Sequence, residues 1–273
     1  MKIFFVRHGL SETNVSKIYV ADTTKVPLTK HGMMQAEKTA KILSNYGKFD
    51  LIICSPYLRT MQTAEIINKE LNVKKIIYND LIIEQYPEIY KKFADKNIKS
   101  TESSIELLKD KEKLALFTKY VDIKDIIKCS KLEKLINETT DPFERYDLTK
   151  KYHIAIAQMM KHIPPKKLFS NDMKFFKYLK TLKKKCILVI THGMVLERFV
   201  GIITNTPYYQ IKFIDKSNEN LYKYYGTNNC CIMGCLYDAS HKQLQLIIPP
   251  NILHLKDLIE KEPNIYPQFQ IKS

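Results

Sequence analysis

Three short apolar runs constrain this chain more than any other feature: residues 3–6, 51–53 and 187–190. Each is too short for a helix, and each is continuous rather than alternating. Strands covered on both faces of a parallel sheet read this way. Behind the first run, Gly32, Met33, Ala36, Ala40, Ile42 and Leu43 recur at helical spacing after Thr29, which predicts a helix with Thr29 as its N-cap. Residues 60–71, behind the second run, again carry a helical pattern. A strand–helix–strand–helix order predicts an α/β fold with right-handed crossovers, a three-layer sandwich around a mostly parallel central sheet.

The rest of the chain fits around that frame. Residues 76–77 and 81–83 suggest another strand and a loop entering a site. From about 86 to 169 the character changes: Lys, Glu, Leu and Ile recur at helical spacing, with no buried-strand pattern, which predicts a helical insertion in one domain spanning 1–273. Residues 171–184 predict a helix leading into the third apolar run. Residues 230–236 and 243–248 predict two strands joined by the turn Asp238-Ala239-Ser240. The Pro-punctuated tail from Pro249 is expected at the surface.

Hydrophobic residues make up 45% of the 273, enough for a sizeable core, which excludes global disorder. No apolar run approaches the roughly 20 residues needed to cross a bilayer. The chain reaches Arg7-His8 after four apolar residues, too few for a signal peptide. A cytoplasmic protein with no membrane partner is the expectation. Six cysteines lack a paired C-x-x-C, so buried reduced thiols are expected over a metal site built on them; no cofactor is expected. Lys+Arg 44 against Asp+Glu 29 gives a net charge of +15. The lysines look scattered, with one tight run at Lys183-Lys184-Lys185, which predicts a general attraction to anions and no specific nucleic-acid partner.

The apolar runs end in chemistry. The first ends in Arg7-His8-Gly9, the second in Cys54-Ser55-Pro56 with Arg59 close behind, the third in Thr191-His192-Gly193. In open α/β sheets, ligands bind beyond the carboxyl ends of the strands. Parallel strands would therefore bring two histidines and two arginines together. A single histidine or arginine in such a place is ordinarily a polar cap or a surface ion-pair partner. Four in one positional class suit a phosphate: guanidinium forks bind its oxygens, and a neutral imidazole can attack phosphorus.

RHGLSETN, residues 7–14, resembles the R-H-G-x-[ST]-x-x-N signature of the histidine phosphatase superfamily, whose branch includes the cofactor-dependent phosphoglycerate mutases. Other pieces match in order. Pro27-Leu28-Thr29 with Gly32 and Gln35-Ala36 resembles P-L-T-x-x-G-x-x-Q-A, and Ser55, Arg59-Thr60 and Thr63-Ala64 resemble S-x-x-x-R-[AT]-x-x-T-A. Leu81 to Glu84 resembles the L-x-E loop with one extra residue; residues 187–193 resemble V-x-x-V-[ST]-H-G; Asn229 resembles the asparagine that begins a late strand. The resemblance implies a phosphoglycerate mutase-like fold and a metal-free reaction. It makes His8 the nucleophile that becomes phosphohistidine, and makes Arg7, Arg59 and His192 the groups that bind phosphoryl oxygens. Ser11 and Asn14 become secondary phosphate or substrate contacts, with Gly193 beside them, and Glu84 becomes the proton donor to the leaving oxygen. Glu88 is the competing acid.

The mutases of the family also carry a Gly-containing loop after the first motif, a Tyr-Gly pair past the acid and an Arg-Arg pair in the insertion. This chain has Tyr19 to Thr24 without glycine, Gln85-Tyr86-Pro87 after Glu84, and Arg145 as the insertion's only arginine. Met194 stands where mutases commonly have asparagine. The expectation is therefore a phosphomonoester hydrolase acting on a small phosphoester, with phosphoproteins as further candidates. A mutase is the alternative, and a non-catalytic phosphate-binding or regulatory protein the second alternative. Specificity is expected to lie in the insertion; homodimerisation is left open.

Overall fold

In the computed structural model, the described residues are 1–16, 20–84, 104–119, 121–141, single positions between 144 and 159, 165–204, 224, 226–240 and 243–262, with side chains in 165–204 described from 170. The chain divides into two compact units, residues 1–16, 22–85 and 171–273 in the first and 17–21 and 86–170 in the second.

The first unit holds a six-stranded sheet in the order β3-β2-β4-β1-β5-β6. Its strands are β1 (Lys2–Arg7), β2 (Leu51–Cys54), β3 (Ile76–Tyr78), β4 (Cys186–Thr191), β5 (Ile232–Asp238) and β6 (Gln243–Asn251). The first four run parallel; β5 pairs antiparallel with β1, and β6 antiparallel with β5. All three apolar runs are strands in the middle of this sheet. Phe5, Val6, Ile52, Ile53 and 187–190 are fully buried, because helices cover both faces.

The helices of this unit are α1 (Glu12–Ser16), which buries no side chain, α2 (Lys30–Ser44), α3 (Leu58–Leu71), α7 (Pro165–Thr181), which enters the unit at residue 171, α8 (Gly193–Thr204) and α9 (Lys256–Lys261). Thr29 caps α2 as expected, its side chain accepting from Gly32 N. α7 begins at Pro165, ahead of the expected 171, since proline's fixed φ suits a first helical turn and its missing N–H costs nothing there. The tail is a correction. Pro249 and Pro250 lie in β6, and Ile252, Leu255, Leu258 and Ile259 enter the core. The apolar residues behind the two prolines follow a helical period, which overrides the surface reading.

The second unit contains α4 (Ser104–Lys109), α5 (Lys111–Phe117) and α6 (Ile123–Glu138), with Leu107, Val121 and Ile126 forming their own small core. Asp110 and Asp122 cap α5 and α6. Glu88 lies outside the described residues. No helix among the described residues is long and apolar enough to cross a membrane. All six cysteines are buried and unpaired.

Candidate active site

β1, β2 and β4 are parallel and nearly level, so their carboxyl ends open at one edge. Arg7 pairs with Thr191 across β1 and β4, and Cys54 with Ile190 across β2 and β4. That register places His8, the start of α3 and His192 side by side. The rings of His8 and His192 lie 5.3 Å apart, centroid to centroid.

Arg59 joins them. It is 2% exposed, and its Nε donates to His8 Nε2 at 3.1 Å while Nη2 stands 3.2 Å from His192 Nδ1 and 3.3 Å from Glu84 Oε2. Its Nη1 donates to the Thr23 carbonyl at 2.6 Å, and its guanidinium lies 5.0 Å from the Tyr57 ring centroid.

Hydrogen bonds define both tautomers. His8 Nδ1 is 2.7 Å from the Gly9 carbonyl, which only accepts, so Nδ1 carries the proton. Arg59 Nε only donates, so His8 Nε2 presents its lone pair. At His192, Nδ1 accepts from Arg59, and Nε2 donates to Ser55 Oγ at 2.8 Å. Burial, then Arg59, Arg7 and His192, hold His8 well below the usual histidine value. Burial lowers His192 to about 3, with Arg59, Arg7 and Arg198 adding to it and Glu84 opposing. Both rings are therefore neutral near pH 7, as an attacking imidazole requires.

Arg7 is held from two directions. Its Nη1 donates to Thr227 O at 2.8 Å, and Thr227 Oγ1 donates to Glu197 Oε1 at 2.8 Å. A Cβ on Gly193 would lie 3.2 Å from the Arg7 guanidinium carbon, so glycine admits the cation against α8. Arg7 Nε is buried and lacks a hydrogen-bond partner among the described residues, a donor that an anion's oxygen would satisfy. Glu84, 8% exposed, follows a 3₁₀ turn at Asp80–Ile82; its Oε1 is 3.5 Å from Met194 N, and its carbonyl accepts from Tyr57 OH at 3.2 Å.

His8, Glu84 and His192 present ligand atoms within 4.8 Å of one another, a spacing that would hold a metal ion. The Arg59 guanidinium reaches the same three side chains, so a cation would meet a fixed positive charge there.

Ser11 and Asn14 sit beside this cluster and hold each other. Asn14 Oδ1 accepts from Ser11 N at 3.1 Å, Ser11 Oγ at 2.9 Å and Asn229 Nδ2 at 3.1 Å. Asn229 Nδ2 also reaches the His8 and Gly9 carbonyls, each at 3.1 Å. The motif glycines let the first loop pack against the start of α2. A Cβ on Gly9 would lie 2.4 Å from Gly32 O, and one on Gly32 2.1 Å from Leu10 O. Gly9 is needed for this approach, since its φ is not in the left-handed region. Gly9 N donates to Thr63 Oγ1 at 3.1 Å and Leu10 N to Gln35 Oε1 at 2.8 Å. Ser55, Thr63 and Gln35 belong to the sequence motifs, which give them no role, and Asn229 stands out there only as the start of a strand. Tyr57 and the Thr23 carbonyl carry no sequence signal, the first because tyrosine at a helix start is ordinary, the second because any residue has a carbonyl.

Residues 3–110 match the family model of the histidine phosphatase superfamily (branch 1). The chain is 35% identical over 81 residues to an adenosylcobalamin/alpha-ribazole phosphatase of Salmonella typhimurium, covering 30% of this chain and 39% of the relative. It is 37% identical over 71 residues to a 2,3-bisphosphoglycerate-dependent phosphoglycerate mutase of Rhizobium etli, covering 26% and 34%. The match thus spans well under half the length of these relatives. Among solved structures, the alpha-ribazole phosphatase of Shigella flexneri superposes with a TM-score of 0.53 at 16% identity, covering 91% of this chain and 96% of that one. Bacillus stearothermophilus YhfR gives 0.52 at 14%, covering 93% and 98%. The fold is the phosphoglycerate mutase-like α/β fold.

Proposed function

We propose that this chain, with the histidine phosphatase superfamily pattern over residues 3–110, is a phosphomonoester hydrolase that works through a phosphohistidine on His8 without a metal. One observation carries the reading: His8 is neutral, its Nδ1 proton is tied to Gly9 O, and its Nε2 lone pair faces Arg59 Nε at 3.1 Å. A phosphate dianion that enters takes over the donors of Arg59 and the unpartnered Nε of Arg7. His8 Nε2 then attacks phosphorus in line, and the P–O bond to the alcohol breaks. The leaving oxygen takes a proton from Glu84. In the second step Glu84 recovers that proton from a water, whose oxygen attacks phosphorus and breaks the N–P bond. Inorganic phosphate leaves, and His8 returns to the neutral tautomer. The arginines and His192 stay in place while charge moves across the transferring group, which is where fixed donors contribute most.

Hydrolysis is favoured over mutase action by the absent Arg-Arg pair and the absent glycines after Arg7-His8-Gly9 and Glu84. A small-molecule phosphoester is the substrate class, held mainly by its phosphate. The test is a quenched reaction with p-nitrophenyl phosphate. Acid-labile, base-stable phosphate on His8 is expected, lost together with turnover in His8→Ala; turnover retained in that variant rejects the proposal. Measuring inorganic phosphate release against conversion of 3-phosphoglycerate to 2-phosphoglycerate separates hydrolase from mutase.

A further inference from the structure

The carboxyl ends of the parallel strands carry the histidines and arginines. The opposite edge carries lysines, and the topology puts them there. Every helix-to-strand connection in a parallel α/β unit ends at the amino edge of the sheet. Here each of those connections is basic. Lys48 precedes β2, Lys74-Lys75 precede β3, Lys183-Lys184-Lys185 precede β4, and Lys2 opens β1. All of them are exposed.

These lysines form one continuous rim. Lys2 N donates to Lys185 O at 2.8 Å, Asp50 N to Cys186 O at 2.9 Å, and Ile52 N to Lys75 O at 3.0 Å. The four strand starts are level within about one residue, since Lys2 pairs with Cys186, Leu51 with Ile187 and Ile52 with Ile76. Four neighbouring strands span about 15 Å across. The last turns of α2, α3 and α7 end near the same edge and add Lys41, Lys69 and Lys180. The acids there are few. Asp50 spends its carboxylate on Lys185 N and Cys186 N, at 2.8 and 3.0 Å; Glu70 follows Lys69 in the last turn of α3, and Asp238 ends β5. Two large apolar side chains are partly open on the rim: Tyr46 at 37% and Leu236, the partner of Lys2 across the sheet, at 37%.

We infer that this amino-edge rim docks the protein on an anionic lipid surface. The strand starts along the rim are level, which fits a plane of phosphate headgroups. The described cations on it are lysines without arginine forks, suited to diffuse attraction and not to reading a particular anion. Tyr46 and Leu236 offer apolar contact at the interface. β1 separates Lys2 on the rim from His8 by roughly 20 Å, so docking through the rim leaves the carboxyl edge of the sheet facing away from the lipid plane. Along the sequence the lysines look scattered because they lie in four separate segments, and the parallel topology gathers them. The inference is independent of the reaction proposed at His8.

The test is flotation with vesicles of phosphatidylserine and phosphatidylcholine, with pure phosphatidylcholine vesicles and a duplex DNA as competitors. The rim variant carries Lys74→Glu, Lys75→Glu, Lys183→Glu and Lys184→Glu. A charge-matched control carries Lys111→Glu, Lys119→Glu, Lys124→Glu and Lys131→Glu in the second unit. Wild type and control are expected to float with the anionic vesicles at low salt and to release as salt rises. The rim variant is expected to lose about tenfold or more in bound fraction while its thermal unfolding stays cooperative. Equal binding by the rim variant, equal loss in the control, no binding to anionic vesicles, or displacement by DNA at matched phosphate concentration would each overturn the assignment.

Discussion

Arg59 donates from Nε to His8 Nε2 at 3.1 Å, so the atom proposed to attack phosphorus is aimed by the same side chain that contacts Glu84 and His192. One rigid fork thus sets the spacing of three side chains. Lysine keeps the charge but offers one nitrogen in place of that fork. Arg59→Lys is therefore expected to lose about 10²–10³ in kcat/KM on p-nitrophenyl phosphate, the scale of a lost transition-state donor. Steady-state kinetics check it; a loss under tenfold would place the fork outside the transition state.

Acid should destabilise the fold through the two histidines. Both folded values lie below the unfolded 6.5, His192 at about 3. Their contribution is full above pH 6.5 and is lost as pH falls, because the unfolded chain takes up protons that the folded chain refuses. Each group adds a slope of at most about 1.4 kcal/mol per pH unit. Melting temperature is expected to drop from pH 7 to pH 5, and His192→Gln should flatten that drop. An unchanged slope in the variant would show that His192 is not held neutral.

Gly32 meets the Leu10 backbone, and no flexible side chain is there to yield. A Cβ would sit 2.1 Å from Leu10 O, so Gly32→Ala must move the loop that carries His8. Urea unfolding is expected to show a loss of about 1–3 kcal/mol, the scale of core overpacking, accompanied by lower kcat. Gly47→Ala is the contrast: nothing lies within 4 Å of the added atom, and the cost there comes only from a φ of +109°. Activity should survive that change.

Behind the site, Arg198 on α8 is buried against Asp172 on α7, with Nε and Nη2 each on one carboxylate oxygen. Burial pushes the Asp172 carboxyl up despite its partner. Asp172→Ala leaves the buried cation uncompensated, with an expected loss of about 3–5 kcal/mol in urea unfolding. Arg198→Met combined with Asp172→Leu should recover much of that loss. A double variant as unstable as the single one would mean that the pair contributes packing beyond its charge.

Much of the site was legible because its residues sit at fixed places on local elements. Arg7-His8 ends β1, His192-Gly193 ends β4, Thr29 caps α2, and the apolar character of each strand marks where it ends. The helical period of 252–259 was hidden behind Pro249 and Pro250, and proline says where a strand loses a donor without saying that the chain has left the core. Asn229 shows the other limit. Its amide reaches His8 O, Gly9 O and Asn14 Oδ1 across more than 200 residues of sequence, and no local pattern encodes such a contact.

By itself the amino-acid sequence determined the layered α/β frame and the residue types delivered to the carboxyl edge, because both follow from short-range periodicity and from where a strand stops. Only the tertiary structure decided the tautomers of His8 and His192, the four-way use of Arg59, the asparagine hub under the first loop and the assembly of separate lysines into one rim. Those depend on directions and distances between segments, which arise when burial of β1, β2 and β4 in one sheet fixes their register.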